Sequence, residues 1–308
     1  MLLIWDSFGG VKRLLLAVGV LLLGAASSAC TDSTTNDAIS DRPTVAVAFY
    51  PIEEIVRRVG GAQIDVTELV PPGQEPHEYE PTAQQFAHLE DAAIVFYLGS
   101  DFQPNLQKAI ESLPGSVRTV DLLVGMTQLD IDDGVDPHVW LDPRNMQLMA
   151  RSVAETLSEE FPEYATAFAA NSATYIDELD ALHNELTTGL ANCDVPVLIT
   201  THEAFAYFAK AYGLTQLAIA GISPGDEPSA KQLETIAQLA ADNGVTTVFF
   251  EENLPADLAA TVADEIGAAT SSLGTAETPT QDQLNAGESY LSIMRENLQA
   301  LRAGLSCT

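Results

Sequence analysis

Three histidines sit at the edges of apolar runs, each beside a carboxylate or a proline. They are His77 in Pro76-His-Glu-Tyr-Glu-Pro81, His138 in Asp136-Pro-His-Val-Trp-Leu-Asp-Pro143 and His202 in Thr201-His-Glu-Ala-Phe205. The chain holds only five histidines, so three in such settings point to one purpose. Neutral imidazole is a strong ligand for zinc and related divalent ions. The remaining two, His88 and His183, fall on helical stretches and read as ordinary surface residues. A fourth ligand would be an oxygen or another histidine. Glu277, Glu251, Glu252 and Asp264 are candidates, and the residues alone leave that choice open. Three imidazoles with one carboxylate suit tetrahedral zinc. Manganese prefers more oxygen ligands, while copper and nickel would bind the same groups, so selectivity rests on geometry and supply. No His-Glu-x-x-His, Gly-x-Ser-x-Gly or phosphate-cradling glycine loop occurs.

Segments so far apart in sequence can meet only at the mouth of a folded α/β core. Thr44–Phe49 reads as a buried strand, and Ile52, Ile55, Val56 and Val59 follow at helical spacing up to Gly60-Gly61. Val66–Val70 is a second strand, Thr82–Asp91 a short helix and Ala93–Leu98 a third strand. The second half has the same grammar. Strands are expected at Val195–Thr200, Gln216–Ile222 and Val245–Phe250, with helices at Glu203–Tyr212, Ser229–Asn243 and through Leu291–Leu305. Alternating strands and helices predict parallel sheets covered by helices. Asp142 is placed to cap a helix that Pro143 begins. Ligands in such sheets bind beyond the carboxyl ends of the strands, where these histidines fall.

Between the halves, Phe168, Tyr175, Leu179, Leu182, Leu186 and Leu190 keep helical spacing. A helix of about 28 residues over 163–191 would span about 42 Å, a stiff connector between two lobes. Expected boundaries are a signal peptide at 1–29, a tether at 30–42, an N-terminal lobe at 43–162, the connecting helix at 163–192 and a C-terminal lobe at 193–308.

The 308 residues are 46% hydrophobic and 7% aromatic, enough for substantial cores. With 13 lysines and arginines against 44 aspartates and glutamates, the net charge of −31 repels phosphate backbones and argues against nucleic acid as a partner. Lys12 and Arg13 precede the apolar run Leu14–Leu23, and small residues lead to Cys30, the order of an export signal. A cysteine placed there is where bacterial lipoproteins are cleaved and lipidated, although Ser27-Ser28-Ala29 lacks the usual aliphatic residue. If Cys30 carries lipid, Cys193 and Cys307 remain, and an oxidising compartment would let them bond; two buried free thiols are the alternative.

Several motifs, in order across the chain after the tether, carry a resemblance. They are Leu69-Val-Pro-Pro-Gly73, the three histidine segments, Gly221-Ile-Ser-Pro-Gly-Asp-Glu-Pro-Ser229, Val248-Phe-Phe-Glu251 and Tyr290-Leu-Ser-Ile-Met-Arg-Glu-Asn-Leu298. The chain resembles the metal-binding lipoproteins of bacterial ABC uptake systems, the zinc/manganese class of solute-binding proteins. The resemblance implies two lobes joined by a rigid helix, with metal in the cleft. It carries ligand roles onto His77, His138, His202 and Glu277, the last in the loop before the Tyr290 helix. Histidine at the third position implies zinc rather than manganese. The histidine-rich loop of many zinc-type members is absent from Thr127–Asp136.

The resemblance makes the chain an exported, lipid-anchored monomeric receptor that passes zinc to an ABC permease. The same role for manganese or iron is the nearest alternative. A zinc hydrolase using Glu78 or Glu203 as base is another, and an adhesin role is a third.

Overall fold

The computed structural model describes residues 42–131, 134–251 and 256–308. The export signal, Cys30, most of the tether and Glu252 lie outside the described residues.

Buried β-branched residues open the fold. β1 (Thr44–Val47) is buried at every position after Thr44, as a strand covered on both faces requires. Pro51 then starts α1 (Tyr50–Gly60), which ends where Gly61 turns to φ 57°, a conformation that favours glycine. β2 (Asp65–Glu68), α2 (Ala83–Glu90), β3 (Ile94–Tyr97), α3 (Pro104–Glu111) and β4 (Arg118–Asp121) complete the first unit. Its four strands are parallel in the order β2-β1-β3-β4. A small antiparallel hairpin follows, β5 (Asp130–Ile131) with β6 (Gly134–Val135).

α4 (Pro143–Glu160) begins as expected, with Asp142 accepting from the Arg144 N–H and Pro143 in the first turn. The connecting helix is α5 (Ala165–Gly189), 25 residues long. It starts later than expected because Pro162–Tyr164 forms a separate 3-10 turn. At its other end Gly189 lets the C-terminal helix approach: a Cβ there would stand 2.8 Å from Leu298 Cδ1.

The second half holds β7 (Val197–Thr200), α6 (Ala206–Tyr212), β8 (Thr215–Ala218), α7 (Ala230–Asp242), β9 (Thr247–Glu251), α8 (Asp257–Ile266), β10 (Ala269–Leu273), α9 (Gln281–Asn285) and α10 (Tyr290–Gly304). Its sheet is parallel in the order β10-β9-β7-β8. Both sheets share one topology: the first strand is flanked by the second on one side and by the third, then the fourth, on the other. Cys193, before β7, and Cys307, after α10, are joined by a disulfide.

The larger apolar core does not stop at either sheet. It runs from Val45 and Phe96 through Trp140, Met149 and Leu182 to Phe208, Tyr290 and Met294. α5 packs against α1, α4 and α10 within it. A smaller cluster around Ile199, Ile236, Val248 and Val262 fills the space under α7 and α8. Two hydrogen bonds stitch the His138 segment to the second half: Trp140 Nε1–H donates to Thr275 O at 2.8 Å, and Tyr290 O–H donates to Trp140 O at 2.6 Å.

Candidate metal centre

Each chemistry-bearing residue lies just past a strand end or ahead of a helix. His77 is in the loop between β2 and α2, after Pro71 and Pro72. His138 precedes the short 3-10 turn Val139–Leu141 and α4. His202 comes two residues after β7, and Glu277 four residues after β10. The Glu277 loop is tightly fixed. Asn297 Oδ1 accepts from Gly274 N–H and Asn297 Nδ2 donates to Gly274 O, both at 2.7 Å. Ala276 takes a positive φ of 59°, an uncommon conformation for alanine that turns the chain into the cluster.

His77, His138, His202 and Glu277 are all buried, and one ligand atom from each lies within 4.8 Å of the other three. His138 Nε2 is 3.4 Å from His77 Nε2 and 3.3 Å from His202 Nε2. Glu277 Oε2 is 3.5 Å from His77 Nε2, and its Oε1 is 3.8 Å and 4.0 Å from the Nε2 atoms of His138 and His202. Ligand atoms about 2.0–2.2 Å from a tetrahedral zinc stand about 3.3–3.6 Å apart, so the spacing fits a zinc ion with little adjustment. Glu277 Oε1 is buried without a hydrogen-bond partner, which is costly for a carboxylate oxygen unless a cation meets it.

Two carboxylates stand behind the histidines. His138 Nδ1–H donates to Asp136 Oδ1 at 2.8 Å, and the same oxygen accepts from the His138 backbone N–H at 2.9 Å. His202 Nδ1 lies 2.6 Å from Glu251 Oε2. Glu251 Oε1 also accepts from His202 N–H at 3.1 Å and from the Thr201 hydroxyl. Such partners settle which ring nitrogen faces the metal and raise its basicity. Glu251 is therefore an orienting carboxylate, not one of the four converging groups. Asp264 is exposed on α8, and Glu78 and Glu203 are exposed beside their histidines. His88 is exposed on α2, but His183 is half-buried with Nδ1 3.1 Å from the Tyr212 hydroxyl, so it joins α5 to α6 rather than facing solvent alone.

The electrostatics favour neutral imidazole at one position and a charge-paired one at another. Burial, with the neighbouring His202 and His77, holds His138 well below the ordinary histidine range. Burial also pulls His202 down, but the hydrogen bond and charge of Glu251 outweigh it and leave His202 raised. Burial pushes Asp136 up to about 7, against the opposing pull of the His138 backbone N–H. Phe102 and Trp140 wall the cluster, with Phe49 packed against both: the Phe102 ring centre is 4.7 Å from that of His77, and Trp140 is 5.2 Å from His138.

Asp136, Phe102 and Gln103 touch the histidines or their loops, and the histidine motifs did not single them out. Asp136 had a signal, since Asp-Pro-His bends a carboxylate back onto the imidazole two residues on. Phe102 and Gln103 had none, because nothing in their local sequence points to His77.

Two parallel sheets of like topology, a long helix packed into their shared core and a buried cluster of three imidazoles and a carboxylate at the strand ends define a metal-capturing binding protein. The chain belongs to the family described as zinc-uptake complex component A, periplasmic, which it matches over residues 45–304. It is 33% identical over 290 residues to the zinc-binding lipoprotein AdcA of Streptococcus pneumoniae, covering 89% of this chain and 57% of that one. It thus spans little more than half of that relative. It is 32% identical to the high-affinity zinc uptake system protein ZnuA of Bacillus subtilis, with 90% and 93% of the two chains covered. Among solved structures, the zinc-bound ZnuA-like domain of Streptococcus pneumoniae AdcA superposes with a TM-score of 0.76 at 34% identity, covering 86% of this chain and 99% of that one.

Proposed function

We propose that this chain is the extracytoplasmic receptor of a zinc-uptake system. It is exported, anchored by lipid on Cys30, acts as a monomer and hands its zinc to an ABC permease. His77, His138, His202 and Glu277 are its ligands. The observation that carries this reading is the convergence of three Nε2 atoms and one carboxylate at zinc-like spacing in a buried site. Family membership and the names of the relatives support zinc as the cargo.

The protein is a receptor rather than an enzyme. A hydrolytic zinc keeps one position open for water, whereas here Glu277 occupies the fourth place and is buried. Glu78 and Glu203, the possible bases, are both exposed.

The test is calorimetric titration of the metal-stripped protein with zinc and with manganese, using His202→Ala as control. One tight zinc site lost in the variant is expected. Tighter manganese binding would keep the receptor and change its cargo, and the absence of any tight site would leave the histidines structural.

A further inference from the structure

His77 is held differently from its two partners. His138 and His202 each have a carboxylate on Nδ1; among the described residues none stands on the Nδ1 of His77, where Glu75 Oε1 accepts only from the backbone N–H, at 3.1 Å. Its ring stands edge-on to Phe102 at 4.7 Å and 75°. Its loop is gripped from below by Gln103, whose Nε2 donates to Pro76 O at 3.2 Å. Gln103 occupies the cap position of α3 but makes no side-chain bond to that helix. It is 1% exposed, and its Oε1 has no partner. A buried amide oxygen left unpaired costs stability, so the position is poorly suited to a purely structural role.

The chain leading to this pair is also unusual. Ser100 and Asp101 both take positive φ, 61° and 56°, which non-glycine residues adopt at a cost. Gln107 Oε1 accepts from Asp101 N–H at 3.2 Å, and Asp121 Oδ1 accepts from Gly99 N–H at 2.9 Å. The strained corner is thus pinned on both sides, and it delivers Phe102 and Gln103 against His77. His77 is also the most exposed of the four ligands, at 7% against 0% for His138 and His202 and 4% for Glu277. A cavity of about 360 Å³, walled by the corner residues together with Pro137 and Ile222, opens beside it.

We propose that Gln103 and Phe102 are the positioning residues for His77, and that their grip on this arm sets how fast the site releases zinc. The other three ligands are fixed by the core, by carboxylates or by Asn297, so the His77 arm is the one that opens toward the cavity. This rests on the zinc-receptor reading.

The test uses the full chain loaded with zinc and mixed with an excess of a chromophoric chelator, which times release. Gln103→Met keeps the side-chain bulk and removes both amide groups. It is expected to release zinc about tenfold faster or more; in the zinc-free protein the unpaired oxygen is gone but Pro76 O loses its donor, so the two effects oppose and the melting point should change little. In a His77→Ala background the same change should add nothing, since the two residues act through one arm. Release within twofold of wild type would overturn the proposal. So would faster release that persists in the His77→Ala background. If Gln103→Met does not fold, Gln103→Leu is read by the same criteria, and collapse of both assigns Gln103 a structural role and overturns the proposal. A wild-type chain without tight zinc removes the receptor reading and this inference together; a tight wild-type site indifferent to Gln103 removes this inference alone.

Discussion

Glu251 Oε2 lies 2.6 Å from Nδ1 of His202, so the imidazole cannot turn without separating a buried pair. The carboxylate sits at the last residue of β9 and the histidine two residues past β7. Neighbouring strands of one sheet thus build a ligand and its support together. Glu251→Ala is expected to weaken zinc binding about 10- to 100-fold with the four ligands still present. Asp136→Ala should do the same through His138. An unchanged affinity in competition titrations would deny both carboxylates an orienting role.

Glu277→Ala removes the proposed fourth ligand and should cost at least as much as the loss of an orienting carboxylate, about 100-fold or more. Removing Glu277 also relieves a buried carboxylate whose Oε1 has no hydrogen-bond partner, so the zinc-free variant should melt no lower than wild type. Affinity near that of wild type would mean that water or another group fills the fourth place.

Zinc binding should weaken as pH falls. Imidazole must be neutral to bind metal, so every proton displaced costs about tenfold in affinity per pH unit once the site is protonated. His202, raised above the ordinary value of 6.5 by Glu251 despite its burial, should take a proton before His138, which burial holds well below that value. Trp140, beside His138, offers an intrinsic fluorescence readout. Equal affinities at about pH 7.5 and about pH 5 would be incompatible with histidine ligation.

Glu68 gives a stability prediction away from the site. Burial and the charge of Glu53 push its carboxyl up to about 8, against Arg57, from an ordinary 4.5. A raised carboxyl holds its proton in the fold and loses it in the unfolded chain. Its contribution is therefore complete below about pH 4.5 and disappears as pH rises through about 8. Glu68→Gln should raise the melting point at alkaline pH and leave it unchanged near pH 4.5. Because the side chain is half-exposed, screening limits the gain to about 1 kcal/mol. A variant that melts lower than wild type at pH 9 would reverse the sign.

Reducing the disulfide should lower stability without emptying the site. The bond closes a separation of 114 residues, worth roughly 4–5 kcal/mol in the chain-entropy description. It lies before β7, at the opposite end of that strand from His202. A Cys193→Ser/Cys307→Ser double variant should unfold at lower denaturant and keep zinc affinity within about threefold.

The central strands and the three histidines were legible because each carries its own local signal. Thr44–Val47, Ile94–Tyr97 and Val197–Thr200 are apolar runs, and each histidine stands in its own motif beside a carboxylate or a proline. Two of the four edge strands, β4 and β10, were not. β4 reads Arg-Thr-Val-Asp and β10 Ala-Thr-Ser-Ser-Leu, and both are largely half-buried or exposed, so no apolar run marks them. α3 and α8 were missed with the strands they precede. The choice between Glu251 and Glu277 was equally invisible to local chemistry. Glu251 ends a strand beside a ligand, and Glu277 follows a left-handed alanine in a polar loop. Only the fold decides which carboxylate faces the three Nε2 atoms.

The bond between Cys193 and Cys307 has a consequence for durability under proteolysis. It makes the second half a covalent ring that contains both His202 and Glu277. A protease that cuts one exposed turn inside this ring opens it but frees no fragment. His202 and Glu277, from distant parts of the sequence, stay on one molecule, and a single nick need not end the protein's working life.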